Sequence, residues 1–352
     1  MEMYFYSADH CHEVDHPELL LPEASTSFAK DNAFLADDRC TTTYLAQNKQ
    51  DGFLAIRVWR ENFWDPDGRR VFLRRLEREL LIWNNLAHPN IAPLYGLVFA
   101  YGKWASSVTP FYRNGTINSY LSNHPKTDPL VLLCGAAEGL AYLHSRNPPV
   151  SHGDVRGRHI FIKDDDGNGG NTNRPTAVIS NIGTNYLPTP PNWIIASDDG
   201  TRWMAPEIMI SESSYEPVDG SCEDSYEDPR TKSKLRTTVE SDVYSFGMTM
   251  LESNLLNVST VSQQVYTRRV PFPHRRFYGG VIHDVVSGVR PIRPGPDECP
   301  GLDDKIWDVI QKCWRHDPRE RPSMAAVANV LREMLSETAL RMVPIPIRKA
   351  SL

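Results

Sequence analysis

Side chains able to do chemistry fall into a few short runs. One is His10, Cys11, His12 and His16, residue types that hold zinc. It stands in a short polar stretch with no second ligand pair nearby, so a zinc site is not expected there. Cys11, Cys40, Cys134, Cys222, Cys299 and Cys313 are scattered with no C-x-x-C spacing. That suits reduced thiols of the cytoplasm or nucleus better than a disulfide framework. Six further runs gather charge, imidazole, amide or glycine: Leu54-Ala55-Ile56-Arg57, His152 to His159, Asn181-Ile182-Gly183, Gly200 to Glu207, Asp242 to Gly247, and Cys313 to Pro322.

Those runs need elements to position them. At 352 residues, 40% apolar and 23% charged, the chain can bury one large bilobal domain or two small ones. A net charge of −6 argues against a nucleic-acid or anionic-membrane partner. No apolar run is long enough for a transmembrane helix, and Met1 to His10 lacks a signal-peptide pattern.

Residues 1–27 read as a flexible lead-in, 28–112 as a strand-rich lobe, 113–337 as a helical lobe and 338–352 as a tail. Thr43–Ala46 and Phe53–Ile56 flank Asn48 to Gly52 as a hairpin. Phe72, Leu76, Leu80 and Trp83 recur at helical spacing, with Glu79 beside that stripe. His88-Pro89-Asn90 stops the helix; Ile91–Phe99 and Ser107–Phe111 read as strands. Helices follow through Leu133–Leu143, Asp242–Leu251, Ile306–Cys313 and Met324–Met334, the last started by Pro322-Ser323. Three stretches read as loop insertions: 164–173, 211–229 with seven acidic residues and no Lys or Arg, and 253–264.

In order and spacing, these runs resemble a eukaryotic protein kinase of the tyrosine-kinase-like group, fungal type, over about residues 28–337. The best marker is Gly200-Thr201-Arg202-Trp203-Met204-Ala205-Pro206-Glu207, similar to the end of a kinase activation segment. The resemblance implies an α+β bilobal fold and a buried Glu207–Arg321 ion pair. It also implies an Asp242 anchor for the catalytic loop and a lobe-linking column of Leu94, Trp83, His152 and Ile182.

It also assigns the site. Asp154 takes the place of the catalytic base and Arg156 that of the assisting lysine. Arg57 replaces the strand lysine, beside Glu79, and Arg is not a conservative exchange at a phosphate site. The three loop glycines fall on Ala36, Asp38 and Thr41, where no backbone can close over a phosphate. His159 and Asn181 stand at the two metal positions, offering an imidazole, which prefers softer transition metals, and an uncharged amide carbonyl, where Mg²⁺ prefers oxygen and charge. Losing one such electrostatic contact commonly costs about 10²–10³ in rate. Gly153 removes the arginine that would receive a phosphate at Ser197 or Thr201. Ala55, Thr109 at the gatekeeper position, the hinge Pro110-Phe111-Tyr112 and Phe161 at the floor make up the adenine pocket.

The resulting expectation is a cytoplasmic or nuclear pseudokinase that acts as a signalling interaction module. It would bind an unidentified protein partner, no nucleic acid and no membrane, with ATP bound weakly and without firm Mg²⁺ dependence. The alternative is a divergent serine/threonine kinase that keeps Asp154 as its base and transfers the ATP γ-phosphate to protein.

Overall fold

Alternating side chains on two adjacent runs fold into a hairpin, β2 (Thr41–Asn48) and β3 (Gly52–Trp59). It is closed at Gly52, whose φ of +78° suits a residue without Cβ. A computed structural model describes residues 14–21, 34–37, 41–48, 52–59, 66–100, 104–163, 175–184, 200–213, 237–256, 270–296, 299 and 301–341. With β1 (Phe34–Asp37), β4 (Gly96–Ala100) and β5 (Trp104–Pro110) the hairpin forms a five-stranded antiparallel sheet in the order β1-β2-β3-β5-β4. Helix α1 (Pro66–Asn84) buries Phe72, Leu76, Leu80 and Trp83, the stripe that its spacing predicts.

The second lobe holds α2 (Ile117–Asn123), α3 (Pro129–His144), the β6–β7 pair (Ile160–Lys163 and Thr176–Ile179), α4 (Pro206–Ser213) and α5 (Val239–Leu256). Helices α6 (Tyr278–Val286), α7 (Asp304–Cys313) and α8 (Met324–Arg341) complete it. Asp128, with Pro129 behind it, caps α3 through Leu130 N, and Asp303 caps α7 through Ile306 N. One core cluster runs from α1 through α3 and α5 to α8, and includes Trp83, Leu94 and Ile182. The architecture is α+β, a strand-rich lobe followed by a helical one.

Several expectations are corrected. Residues 14–21 are no flexible lead-in: Val14 and Leu19 are buried, and Leu20 bridges to Leu97. The strand expected over 91–99 starts only at Gly96, because residues 91 and 92 pair with Ile179 instead, by the Ile91–Ile179 bridge and Ala92 N to Ile179 O. Helix α8 runs on to Arg341, past the expected end of the domain at 337. Ser211–Ser213 close α4 and Ser253–Leu256 close α5, so neither insertion begins where expected. The rest of both insertions, all of 164–173, and His10, Cys11, His12, Asp38 and Ser197 lie outside the described residues. Among the described residues, no helix is long and apolar enough to cross a membrane.

Candidate active site

Asp242, in the first turn of α5, organises the loop that carries Asp154. Its carboxylate accepts the amides of His152 (2.6 Å) and Gly153 (2.9 Å) and contacts His144 Nε2 at 3.1 Å. His152 Nε2 lies 2.9 Å from Ser180 O, and the Asp154 amide donates to His152 Nδ1 at 3.1 Å. Gly153 has φ +84°, a backbone state that favours glycine. The loop is therefore held from both flanks, by α5 and by the end of β7.

Asp154 is tied within that loop. Arg156 Nη2 donates to its Oδ2 at 2.6 Å, a charge-assisted bond. His159 Nδ1 approaches Asp154 O at 2.9 Å and Oδ2 at 3.4 Å. Burial, then the positive fields of Arg156, Arg57, His152 and Arg158, hold the His159 imidazolium well below its ordinary range. A neutral ring remains, so its contact with Asp154 is a hydrogen bond and not an ion pair. His152 is lowered in the same direction, chiefly by burial.

Asn181 follows β7 at φ +66°, a left-handed state that Asn tolerates better than most residues. Its carbonyl accepts from Thr184 Oγ1 at 2.9 Å, and Gly183 N donates to His152 O at 3.3 Å. Glu79 reaches this turn from α1: a Cβ on Gly183 would stand 2.5 Å from Glu79 Oε2. Arg57 Nε donates to Thr41 Oγ1 at 2.9 Å, and its guanidinium lies 5.2 Å from the centre of the Trp59 ring. Thr41, expected at the third glycine position, thus stands buried and bonded to Arg57, expected in place of the lysine. Ala36, at the first, is exposed in β1.

Further along, Arg321 Nη1 and Nη2 grip Glu207 Oε1 and Oε2 at 2.7 and 2.8 Å. The same guanidinium also donates to Arg315 O, Glu240 O and His316 O. The expected ion pair is there, with all five donors used. A family model for protein tyrosine and serine/threonine kinases matches residues 43–331. This chain is a member of that kinase family. Cyclic GMP-binding protein C of Dictyostelium discoideum is 26% identical over 288 residues, 80% of this chain and 9% of that protein. Serine/threonine-protein kinase CTR1 of Arabidopsis thaliana is 24% identical over 290 residues, 80% of this chain and 29% of its own length. Probable serine/threonine-protein kinase WNK10 of the same plant is 28% identical over 247 residues, 68% of this chain and 37% of its own. The chain spans no more than 37% of any of the three.

Of the residues that the resemblance assigns to an adenine pocket, Ala55, Thr109 and Pro110 lie on the five-stranded sheet. Ala55 pairs with Thr109 and Leu54 with Pro110 across β3 and β5, and Phe111 N donates to Phe53 O at 3.1 Å. Tyr112 packs on Phe161 with ring centroids 5.7 Å apart, so the floor residue leans on the hinge. Every site residue expected from the sequence lies in the described structure except Asp38 of the glycine loop and the phosphorylation candidate Ser197.

Sequence reading missed two groups of this kinase domain. Glu252 on α5 is buried beneath the loop that carries Asp154 and accepts Asn118 Nδ2 (2.7 Å), Gly157 N (3.2 Å) and Trp203 Nε1 (3.1 Å). Burial pushes its carboxyl above the ordinary range, against the pull of those three donors. Arg202, buried, donates to Pro271 O, Phe272 O and Arg275 O. A carboxylate directly after the helical run Phe246 to Leu251, at Glu252, was the available signal for the first. Nothing local marks Arg202.

Proposed function

We propose that this kinase domain acts as a pseudokinase, an interaction module that transfers no phosphate at a useful rate. One observation carries the reading: the positions that would hold a phosphate-bound dication present the neutral His159 ring and the Asn181 amide, while Asp154 is occupied by Arg156 at 2.6 Å. Mg²⁺ favours near-octahedral oxygen donors with carboxylate charge, and among the described residues no group of three His, Cys, Asp or Glu could hold a metal. This donor set does not fit the ion that kinases use. Phosphoryl transfer depends on positioning and charge neutralisation, so loss at both metal positions bears on its main source of rate. ATP would be held through Ala55, Thr109 and Tyr112, weakly and with little Mg²⁺ dependence.

The second reading, a divergent serine/threonine kinase, draws on the intact frame: Asp242 holds the loop, and Glu79 lies against Gly183. Incorporation of labelled phosphate into the protein itself and into a generic protein substrate separates the two. We expect none above background with Mg²⁺ or Mn²⁺. Turnover of about 1 s⁻¹, an ordinary kinase rate, abolished by Asp154→Asn, would establish the kinase instead. In thermal shift, millimolar ATP at a millimolar Kd raises stability by only about 0.4 kcal/mol; a large shift requiring Mg²⁺ speaks against the pseudokinase.

A further inference from the structure

Residues 14–21 lie in a groove between α1 and the free edge of β4. The 3-10 turn Pro17–Leu19 sets the chain direction, and Leu20 then bridges in parallel to Leu97, with Leu21 N donating to Leu97 O at 3.1 Å. This adds a strand-like segment to a sheet edge that would otherwise show unpaired backbone. Val14 and Leu19 are buried in the main core, while Leu21 packs on the second cluster, of Ala46, Leu54, Ile56, Val58, Val98 and Val108.

The groove is built to take a backbone. Gly96 sits at φ +150°, and a Cβ there would stand 2.6 Å from Leu19 O and 3.0 Å from Leu21 Cγ. On the other wall, buried Glu77 accepts the amide of His16 at 3.0 Å, and Arg74 meets Asp15 at 3.3 Å. Burial raises the Glu77 carboxyl, and the amides of His16 and Asp15 draw it back down.

Glu77 and Glu79 are two residues apart, about 200° around the helix. One face of α1 therefore holds the segment while the opposite face reaches Gly183 at the site. We propose that the groove between α1 and β4 is a peptide-binding surface, occupied in cis by residues 14–21, and that its occupancy sets the position of α1 and so of Glu79. A competing ligand would be an extended segment with the Pro-x-Leu-Leu-Leu pattern of residues 17–21 and free amides for Glu77. This holds whether or not the site turns over ATP.

Hydrogen exchange on the full chain tests it. Leu21→Pro removes the N–H given to Leu97 and should release residues 14–21. Exchange across α1 residues 72–84 and residues 181–184 should then quicken about tenfold or more, with α5 and α8 unchanged. A synthetic peptide of residues 14–21 in excess should restore protection in the variant and do nothing to wild type. Release of 14–21 with α1 and 181–184 still protected would overturn the coupling. Failure of the peptide to bind the released variant would overturn the surface. If Leu21→Pro does not fold, Leu19→Ala reads the same quantities, with the same two overturning results.

Discussion

The Glu207–Arg321 anchor and the mouth of the proposed nucleotide site both lie on residues of kinase motifs, yet they differ in what they bond. At the anchor, all five Arg321 donors meet a carboxylate or a carbonyl, and Asp242 holds its two loop amides. At the mouth, on the proposed reading, Thr41 stands for a glycine, Arg57 for a lysine, and His159 and Asn181 for metal ligands; Arg57 is bonded to Thr41, and burial holds the His159 ring neutral. The first set satisfies buried charge within the fold; the second would, on the proposed reading, serve a ligand. On that reading, stability and phosphate chemistry depend on separate residues of one domain.

The sharpest way to break that contrast is Arg321→Ala. Arg321 is fully buried and Glu207 only 27% exposed, so orphaning the carboxylate should cost about 3–5 kcal/mol in urea denaturation. A loss below about 1 kcal/mol would mean that the anchor carries no more than an ordinary surface pair.

Glu252 lies between the two regions, and its replacement should be next in size. Glu252→Leu leaves Asn118, Gly157 and Trp203 donors unpaired, a loss of about 2–4 kcal/mol. Glu252→Gln should be much milder: its amide can face Asn118, whose buried Oδ1 lacks a partner and can turn to accept. The raised carboxyl also fixes a pH sign. Below the unfolded value both states are protonated. As pH rises from there through the higher folded value, the native state binds more protons than the unfolded one, and stability falls. Denaturation midpoints across mildly acidic pH should show that fall in wild type and lose it in Glu252→Gln.

Asn181→Ala tests the mouth. Residue chemistry alone predicts almost no effect, since nothing charged depends on the amide; φ +66° adds a left-handed penalty of about 1–2 kcal/mol for alanine. Asn181→Gly should avoid it, and equal losses for both would move the cause from backbone to side chain. The smallest effect belongs to Thr41→Val, which removes the Arg57 Nε acceptor at nearly constant shape, for about 1 kcal/mol or less. Were it to match Arg321→Ala, the mouth would be as structural as the anchor.

Much of this was legible in the sequence because it is local. Trp83, Leu80 and Leu76 announce the buried face of α1 by spacing alone. The motif strings from Asp154 to Arg321 carry the kinase resemblance, and it was that resemblance, not local pattern, that implied the Glu207–Arg321 pair across 114 residues. Helices α2, α4 and α6 escaped notice: each is nine residues or fewer, too short for periodicity to stand out. Residues 14–21 read as part of a flexible lead-in because eight residues show neither the edge they join nor Gly96, which makes room for them.

Residue identity by itself determined what each position can offer: a neutral amide at 181, an imidazole at 159, a guanidinium at 57, and a carboxylate at 154. Those are properties of single side chains and need no fold. Only the tertiary structure decided which groups meet. It brought Asn118, Gly157 and Trp203 onto Glu252 across up to 134 residues of chain, closed Arg156 on Asp154, and set α1 between Glu77's grip on His16 and Glu79's reach to Gly183. Such pairings follow from packing a whole core, where each buried donor must find an acceptor wherever in the chain it lies.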